Sequence, residues 1–154
     1  MIGWLRGRIV SDDPSGRPVV WAPWVGYEVM LPLGTRGRLS SHGDEVELWV
    51  HTNVREDAIE LFGFESTHQR MAFRTLIGLP NVGPKLALSV LGALSVADLA
   101  AIVARGELSR LTAIPGVGKK TAERLLLEPK TRDVKLHARS STDSPEIDDR
   151  PDKG

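Results

Sequence analysis

Two short segments of this 154-residue chain carry the same residue types in the same order, at a constant spacing of 35 residues. They are residues 79–87, with the sequence LPNVGPKLA, and residues 114–122, with the sequence IPGVGKKTA. Each contains an apolar residue, a tight turn with glycine, a lysine, and then an apolar-periodic run that predicts a helix. The pattern is typical of a helix-hairpin-helix motif, and it occurs twice.

The chemistry available to such a turn is the binding of an anion. The turn leaves successive backbone N–H groups unpaired at the start of the next helix, where the helix dipole is positive. These groups and an adjacent lysine form a site for a phosphate. We expect Gly83 and Gly118 to be the positions where the chain needs a positive φ or a close backbone approach.

Cations accompany both turns. Lys85 follows the first turn, Lys119 and Lys120 follow the second, and Arg124 lies about one helical turn beyond Lys120. A single copy could simply let two helices pack closely, but two copies with lysine in the same place favour double-stranded DNA as the ligand. Because such contacts go to phosphates, we predict recognition of DNA shape rather than of base sequence. The predicted DNA-binding residues are Asn81, Val82, Gly83, Lys85, Gly116, Val117, Gly118, Lys119, Lys120 and Arg124.

Charge is unevenly distributed, although the chain as a whole is neutral with 20 Lys/Arg and 20 Asp/Glu. Residues 1–64 carry six basic and nine acidic residues, a net charge of −3, whereas residues 65–128 carry eight and five, a net charge of +3. Both turns therefore lie in the basic segment. This polarity suits a protein that holds DNA and also repels it at a chosen place.

Several other kinds of chemistry are disfavoured. The chain has no cysteine, and its four histidines lack metal-ligand spacing, so we expect no metal and no cofactor. The second turn is not the phosphate-binding loop of an ATPase, because Ala113 stands in the first glycine position and Lys120 in the Ser/Thr position. No apolar run approaches the ~20 residues of a membrane span. Residues 1–6 do not begin a signal peptide, so we expect a soluble, cytoplasmic protein.

Residues 1–64 are predicted to form β structure. The strand candidates are residues 2–10, 19–21, 25–30, 45–50 and 58–64. Turn signals at residues 12–16 and at Pro23 separate them. About five short strands suit a small barrel of the OB type, although periodicity alone also allows any small antiparallel β domain. Four tryptophans fall in this segment: Trp4, Trp21, Trp24 and Trp49. Core packing or a subunit interface is favoured for them over stacking against single-stranded bases.

Residues 66–128 are predicted to be helical. The helix candidates are residues 71–77, 86–91, 96–104, 107–112 and 121–128. Ser66 or Thr67 is predicted to cap the first helix and Ser95 the third, which should end at Gly106. Pro129 should stop the last helix because it lacks the N–H that an interior position requires.

Further segments match one known family. They are residues 1–7 (MIGWLRG), 25–29 (VGYEV), 54–58 (VREDA), 61–64 (LFGF), 82–88 (VGPKLAL) and 115–125 (PGVGKKTAERL). Taken in order, they resemble the RuvA family of Holliday-junction-binding proteins, from residue 1 to about residue 137. The hairpin repeat alone would fit many DNA-repair proteins.

The resemblance implies an α+β fold with an OB-like β-barrel over residues 1–64 and an all-α tandem helix-hairpin-helix domain over residues 65–137. It implies a homotetramer, or a face-to-face octamer, that grips four-way junction DNA in recombination and repair without catalysing a reaction itself. Glu56 and Asp57 would form an acidic pin near the strand crossover. The RuvB motor and the RuvC resolvase would be partners.

Three features depart from the family pattern. Asn81 stands where the first hairpin usually has glycine, and asparagine is the residue that best tolerates the left-handed region in its place. Pro129 cuts the last helix short. Residues 130–154 are rich in Ser, Asp, Pro and charge and are predicted to be disordered, with residues 138–154 forming a linker or tail. The family's small helical third domain, which docks on the RuvB motor, would follow there. We expect this chain to be a short form that lacks it, so contact with RuvB is in doubt.

Three further kinds of function remain open alternatives. A helix-hairpin-helix nuclease or glycosylase would need a catalytic carboxylate just after the hairpin, where the chain offers only Glu123 beside Arg124. A general duplex-binding repair protein or nuclease accessory factor would use the same hairpins without preferring junctions. An adaptor that binds only protein would leave the two lysine-bearing turns without a purpose.

Overall fold

The structure, a computed structural model, describes residues 1–11, 17–40 and 45–134. Its amino-terminal half contains five strands and one short helix. They are β1 (Trp4–Ser11), β2 (Val19–Ala22), β3 (Val25–Glu28), α1 (Thr35–Ser40), β4 (Glu45–Val54) and β5 (Ile59–Phe64). The tail predicted over residues 138–154 lies outside the described residues.

The five strands form one antiparallel sheet in the order β3-β2-β1-β4-β5. The segment after β3 closes it, because the Met30 N–H donates to the Leu61 carbonyl at 2.8 Å and the Gly63 N–H donates to the Met30 carbonyl at 2.9 Å. Apolar side chains from alternate strand positions fill the interior, among them Leu5, Val20 and Leu48. The predicted OB-like β-barrel is therefore confirmed.

The predicted strands differ from the observed ones mainly at their ends. The fourth strand runs to Val54 rather than to residue 50, because it pairs with β5 along its whole length, up to the pair Val54–Ile59. The third strand ends at Glu28, and Met30 joins the sheet only through an isolated bridge. Helix α1 was not predicted from the sequence.

The second half is helical. It contains α2 (Thr67–Ile77), α3 (Pro84–Ala93), α4 (Val96–Arg105), α5 (Leu108–Thr112), α6 (Lys119–Leu127) and a 3₁₀ helix (Pro129–Asp133). The predicted caps are confirmed: the Ser66 hydroxyl accepts from the Gln69 N–H at 3.1 Å, and the Ser95 hydroxyl accepts from the Asp98 N–H at 3.0 Å. Gly106 ends α4 at φ 66°.

The start of the segment predicted to be disordered is folded. Pro129 stops α6 as expected, but its fixed φ also suits the first position of the 3₁₀ helix that follows. Thr131 and Val134 are fully buried, and Val134 belongs to the helical core. The prediction of disorder is therefore wrong for residues 130–134, and residues 135–154 lie outside the described part of the chain.

The two halves pack together through β5 and α2. Phe62 and Phe64 of β5 belong to the helical core, with ring centroids 5.0 and 4.8 Å from that of Phe73 on α2. Beside them, the Arg74 Nε–H donates to His51 Nδ1 at 3.1 Å. Burial lowers the pKa of His51 below its ordinary value, and the neighbouring arginine charges lower it further. The imidazole of His51 is therefore neutral when its Nδ1 accepts the hydrogen bond from Arg74.

Within the described residues, no single helix has the length and apolar composition needed to cross a membrane. In the part of the chain that the structure describes, one pair of helices, α3 and α4, meets that length and composition when taken together across a bend of 95°.

Candidate nucleic-acid interface

The two repeated turns have nearly the same backbone geometry. Asn81 and Gly116, at equivalent positions, both have a positive φ, of 61° and 85°. Two residues later, Gly83 and Gly118 are extended, with φ and ψ of −89° and 172° in the first turn and −82° and 172° in the second. The repeat that the sequence indicates is therefore also a repeat of conformation.

This geometry corrects the role predicted for Gly83 and Gly118. Neither has a positive φ, and a Cβ added to either would meet no atom within 4 Å. The chain reverses two residues earlier, at Asn81 and Gly116, so the left-handed residue is required there. Gly83 and Gly118 instead take the N-cap positions of α3 and α6, where they leave the backbone open to solvent.

Val82 and Val117 hold each turn from inside. Their side chains are buried, and their N–H groups donate to the carbonyls of Leu79 and Ile114 at 3.2 and 3.0 Å. Since these donors are engaged within the turn, the two valines shape the interface and do not offer it a hydrogen-bonding group.

The available donors are at the first turns of α3 and α6. The first ladder bonds of these helices run from Ala87 N–H to the Gly83 carbonyl, at 3.1 Å, and from Ala122 N–H to the Gly118 carbonyl, at 2.9 Å. No side chain caps either helix. The N–H groups before these bonds point out of the helix. Because Pro84 has no N–H, three donors remain at the first hairpin against four at the second.

The cations beside these donors are exposed. Lys85, Lys119, Lys120 and Arg124 form no salt bridge with any described residue. Three of the four belong to the second hairpin. Glu123, the carboxylate considered for catalysis, is exposed among them on α6. The second hairpin therefore carries more positive charge than the first.

The two hairpins lie side by side. A Cβ added to Gly116 would be 3.8 Å from Cδ1 of Leu86, so the second turn rests against the first turn of α3. Two sets of outward N–H groups therefore belong to one surface. We call this surface the paired-hairpin surface and define it by residues 81–86 and 116–121.

The predicted acidic pair lies at the tip of the β4–β5 hairpin. The Arg55 N–H donates to the Ala58 carbonyl at 2.7 Å, and Glu56 and Asp57 between them are exposed. Arg55 does not neutralise them, because its guanidinium contacts the Glu60 carboxylate at 2.7 Å. The tip formed by Glu56 and Asp57, the acidic tip, is therefore negatively charged.

The tryptophans do not form a core. Trp24 is 93% exposed in the β2–β3 turn at φ 74°, and Trp4 and Trp21 are 46% and 43% exposed on the outer face of the sheet. Trp49 is half-buried. The sequence favoured core packing or a subunit interface for the tryptophans. Core packing is wrong for the three exposed ones.

The fold and this surface define a class: a helix-hairpin-helix protein with an OB-like β domain. Residues 1–63 match the RuvA N terminal domain family, and residues 73–131 match the SAM-like helix-hairpin-helix tandem family. A protein of Polaromonas sp. named "Holliday junction branch migration complex subunit RuvA" is 45% identical over 147 residues, which cover 94% of this chain and 77% of that protein. The chain belongs to the RuvA family.

Other relatives with the same name are longer. The protein of Solidesulfovibrio magneticus is 45% identical over 128 residues, covering 83% of this chain and 63% of that protein. That of Actinobacillus pleuropneumoniae serotype 5b is 48% identical over 130 residues, covering 84% and 64%. The chain thus spans a little under two thirds of the length of these relatives.

Proposed function

We propose that this chain binds four-way DNA junctions and is the junction-recognising subunit of a branch-migration complex. The observation that carries the proposal is the paired-hairpin surface, where two turns of matching geometry present outward N–H groups beside exposed cations. The names of the relatives, which refer to a Holliday junction branch migration complex, support it.

In this proposal the hairpins bind the phosphates of a DNA arm. A phosphate oxygen accepts hydrogen bonds from the N–H groups at the start of α3 or α6, where the helix dipole is favourable. Lys85, Lys119, Lys120 and Arg124 add charge from the same side. Such contacts position the protein on the backbone and read no bases, so they suit a junction of any sequence.

The acidic tip would act at the strand crossover. Glu56 and Asp57 repel phosphates by about 1 kcal/mol per pair of charges at 4 Å in water, and by more where water is excluded. That repulsion disfavours a continuous duplex at the tip and favours separated strands there. The opposite charge of the two halves of the chain supports this division of labour.

We further propose that four chains assemble through their β domains, with the alternative of two such tetramers facing each other across the DNA. One chain offers a single paired-hairpin surface, so four arms need four chains. The exposed Trp4 and Trp21 support an interface on the outer face of the sheet, because large aromatic side chains are enriched at such surfaces.

The subunit itself is proposed to be non-catalytic and cytoplasmic. Among the residues the structure describes, no group of three or more His, Asp and Glu side chains could hold a metal ion. Partner proteins, a RuvB motor and a RuvC resolvase, would catalyse the reactions.

A gel-shift titration tests the proposal. A labelled four-way junction is titrated with the protein in the presence of excess linear duplex. We expect a shift that survives the competitor. Loss of the shift to competitor would leave the second candidate, a general duplex binder, which the same hairpins support. No DNA binding at all would leave the protein-only adaptor.

A further inference from the structure

Arg70 on α2 links the helical half to three groups of the sheet. Its Nη1–H group donates to the Gly3 carbonyl at 2.7 Å and lies 3.4 Å from the Val50 carbonyl. Its Cζ lies 5.4 Å from the ring centroid of Trp49. The same Gly3 carbonyl also accepts from the Val50 N–H at 2.9 Å. One guanidinium therefore joins α2 to the start of β1 and to β4.

These contacts need the shape of an arginine. The planar guanidinium can donate in its plane while its face stacks on an aromatic ring, whereas a lysine ammonium is a point charge that does not reproduce both. The Arg70 Nε is buried without a hydrogen-bond partner among the described residues, so the contacts made by Nη1 and the ring hold the group in place. Burial at this position orders the side chain, and no carboxylate pairs with it in the salt bridges of the described residues.

Helix α2 transmits this link to the DNA-binding surface. It leads directly into the first hairpin turn, which begins at Gly78. It also packs against α3 of the first hairpin, and against α4 and the 3₁₀ helix, which in turn contact α5 and α6 of the second hairpin. A tilt of α2 therefore moves the first hairpin directly and the second through α4 and the 3₁₀ helix. A tilt of about 10° displaces a point ~20 Å away by about 3.5 Å, which is more than the length of a hydrogen bond.

We propose that Arg70 is a positioning residue, which fixes the angle of the paired-hairpin surface on the β half and thereby sets the preference for a junction over a duplex. This inference rests on the proposed function. A linear duplex can be held by the hairpins of one chain at any angle to its β domain. A junction must meet several chains at once, so each hairpin pair has to be placed correctly on the frame that the β domains build.

The test replaces Arg70 with lysine in the full chain, which keeps the charge and removes the planar donor. Dissociation constants for a four-way junction and a linear duplex are measured by fluorescence anisotropy at one salt concentration. We expect junction affinity to fall about tenfold, as for the loss of one or two hydrogen bonds, with duplex affinity within about twofold. The matched control is Arg105→Lys on α4, whose contact is with Glu107 and not with the sheet; it should leave both constants unchanged.

A second variant keeps the test decisive if Arg70→Lys fails to fold, as judged by its urea midpoint. Trp49→Leu removes the ring under the guanidinium from the sheet side and should give the same loss of junction preference. An unchanged ratio of junction to duplex affinity in a folded variant would overturn the proposal, as would an equal fall in both affinities. If the unmodified chain itself shows no junction preference, the proposed function fails, and this inference fails with it.

Discussion

At the scale of single residues, the hairpin turns depend on two positions in the left-handed region. Asn81 and Gly116 have φ of 61° and 85°. We predict that Gly116→Ala lowers the free energy of unfolding by about 1–2 kcal/mol, because an added Cβ is strained there. Asn81→Ala should lower it by less, because Asn81 already carries a Cβ and loses only the short polar side chain that helps it tolerate the left-handed region. Asn81→Gly should stay within about 0.5 kcal/mol, since glycine relieves strain but gains entropy in the unfolded chain.

Urea titration measures these differences. Gly118→Ala is the matched control, because φ is −82° and the added methyl meets open space. It should cost less stability than Gly116→Ala. A larger loss at Gly118 than at Gly116 would show that the turn reverses elsewhere than the structure places it.

The cations at the two hairpins give a second prediction at this scale. Each phosphate neutralised contributes about −0.9 to the slope of log K against log salt. Lys119→Ala with Lys120→Ala should therefore reduce the slope by about 1.8 for each chain engaged, and Lys85→Ala by about 0.9. The slope is measured from junction dissociation constants over a series of salt concentrations.

The control for this series is Arg110→Ala, whose guanidinium already faces Glu107 at 3.8 Å. It should alter the slope less than either hairpin variant. Equal slopes for every variant would mean that the hairpin lysines do not lie at phosphates.

At the scale of elements, the contact between α2 and β4 should make stability depend on pH. Burial and the nearby arginines lower the pKa of His51 in the folded state. Below the unfolded value of about 6.5, the unfolded chain binds a proton that the folded chain does not, so stability falls as pH falls. The loss of stability continues down to the pKa of His51 in the folded state. It is absent above the pKa of His51 in the unfolded state.

His51→Gln removes the titrating group while leaving an acceptor for the Arg74 N–H. We expect urea midpoints of this variant to fall less between pH 7 and pH 5 than those of the unmodified chain. The same loss in the His51 variant would assign the pH dependence to other groups.

The sequence was most informative about the strands and helices and where they end. Strand alternation, Ser66, Ser95 and Gly106 are local signals, and each predicted an observed strand or helix end. The prediction of disorder immediately after Pro129 failed because the fold there depends on distant contacts. The burial of Thr131 and Val134 needs the helical core already in place, and no local pattern marks it.

The candidate site was also predicted only in part: the sequence located the turns but not the role of every residue in them. The repeat located both turns, and the positive φ at Asn81 was expected because Asn81 stands where the family usually has glycine. The roles of Gly83 and Gly118 were misassigned because spacing alone does not say which residue of a turn reverses the chain. Arg70 gave no sequence signal, since its partner Gly3 is 67 residues away.

At the scale of the whole molecule, the acidic tip should control what occupies the centre of the assembly. In the variant Glu56→Gln with Asp57→Asn, the charge is removed and the side-chain size is kept. We expect affinity for linear duplex to rise towards that for the junction, because repulsion no longer excludes continuous phosphates. Competition binding measures the ratio, and Glu45→Gln, on the outer face and paired with Arg6, is the control. An unchanged ratio in the tip variant would mean that Glu56 and Asp57 do not face DNA.

The most direct test of the central claim is hydroxyl-radical footprinting of a four-way junction bound by the full chain. If paired hairpins from several chains grip the DNA backbone, protection should appear on all four arms, at equal distances from the crossover, and should be the same for arms of unrelated sequence. Protection of a single arm, or protection that follows base sequence, would contradict the account.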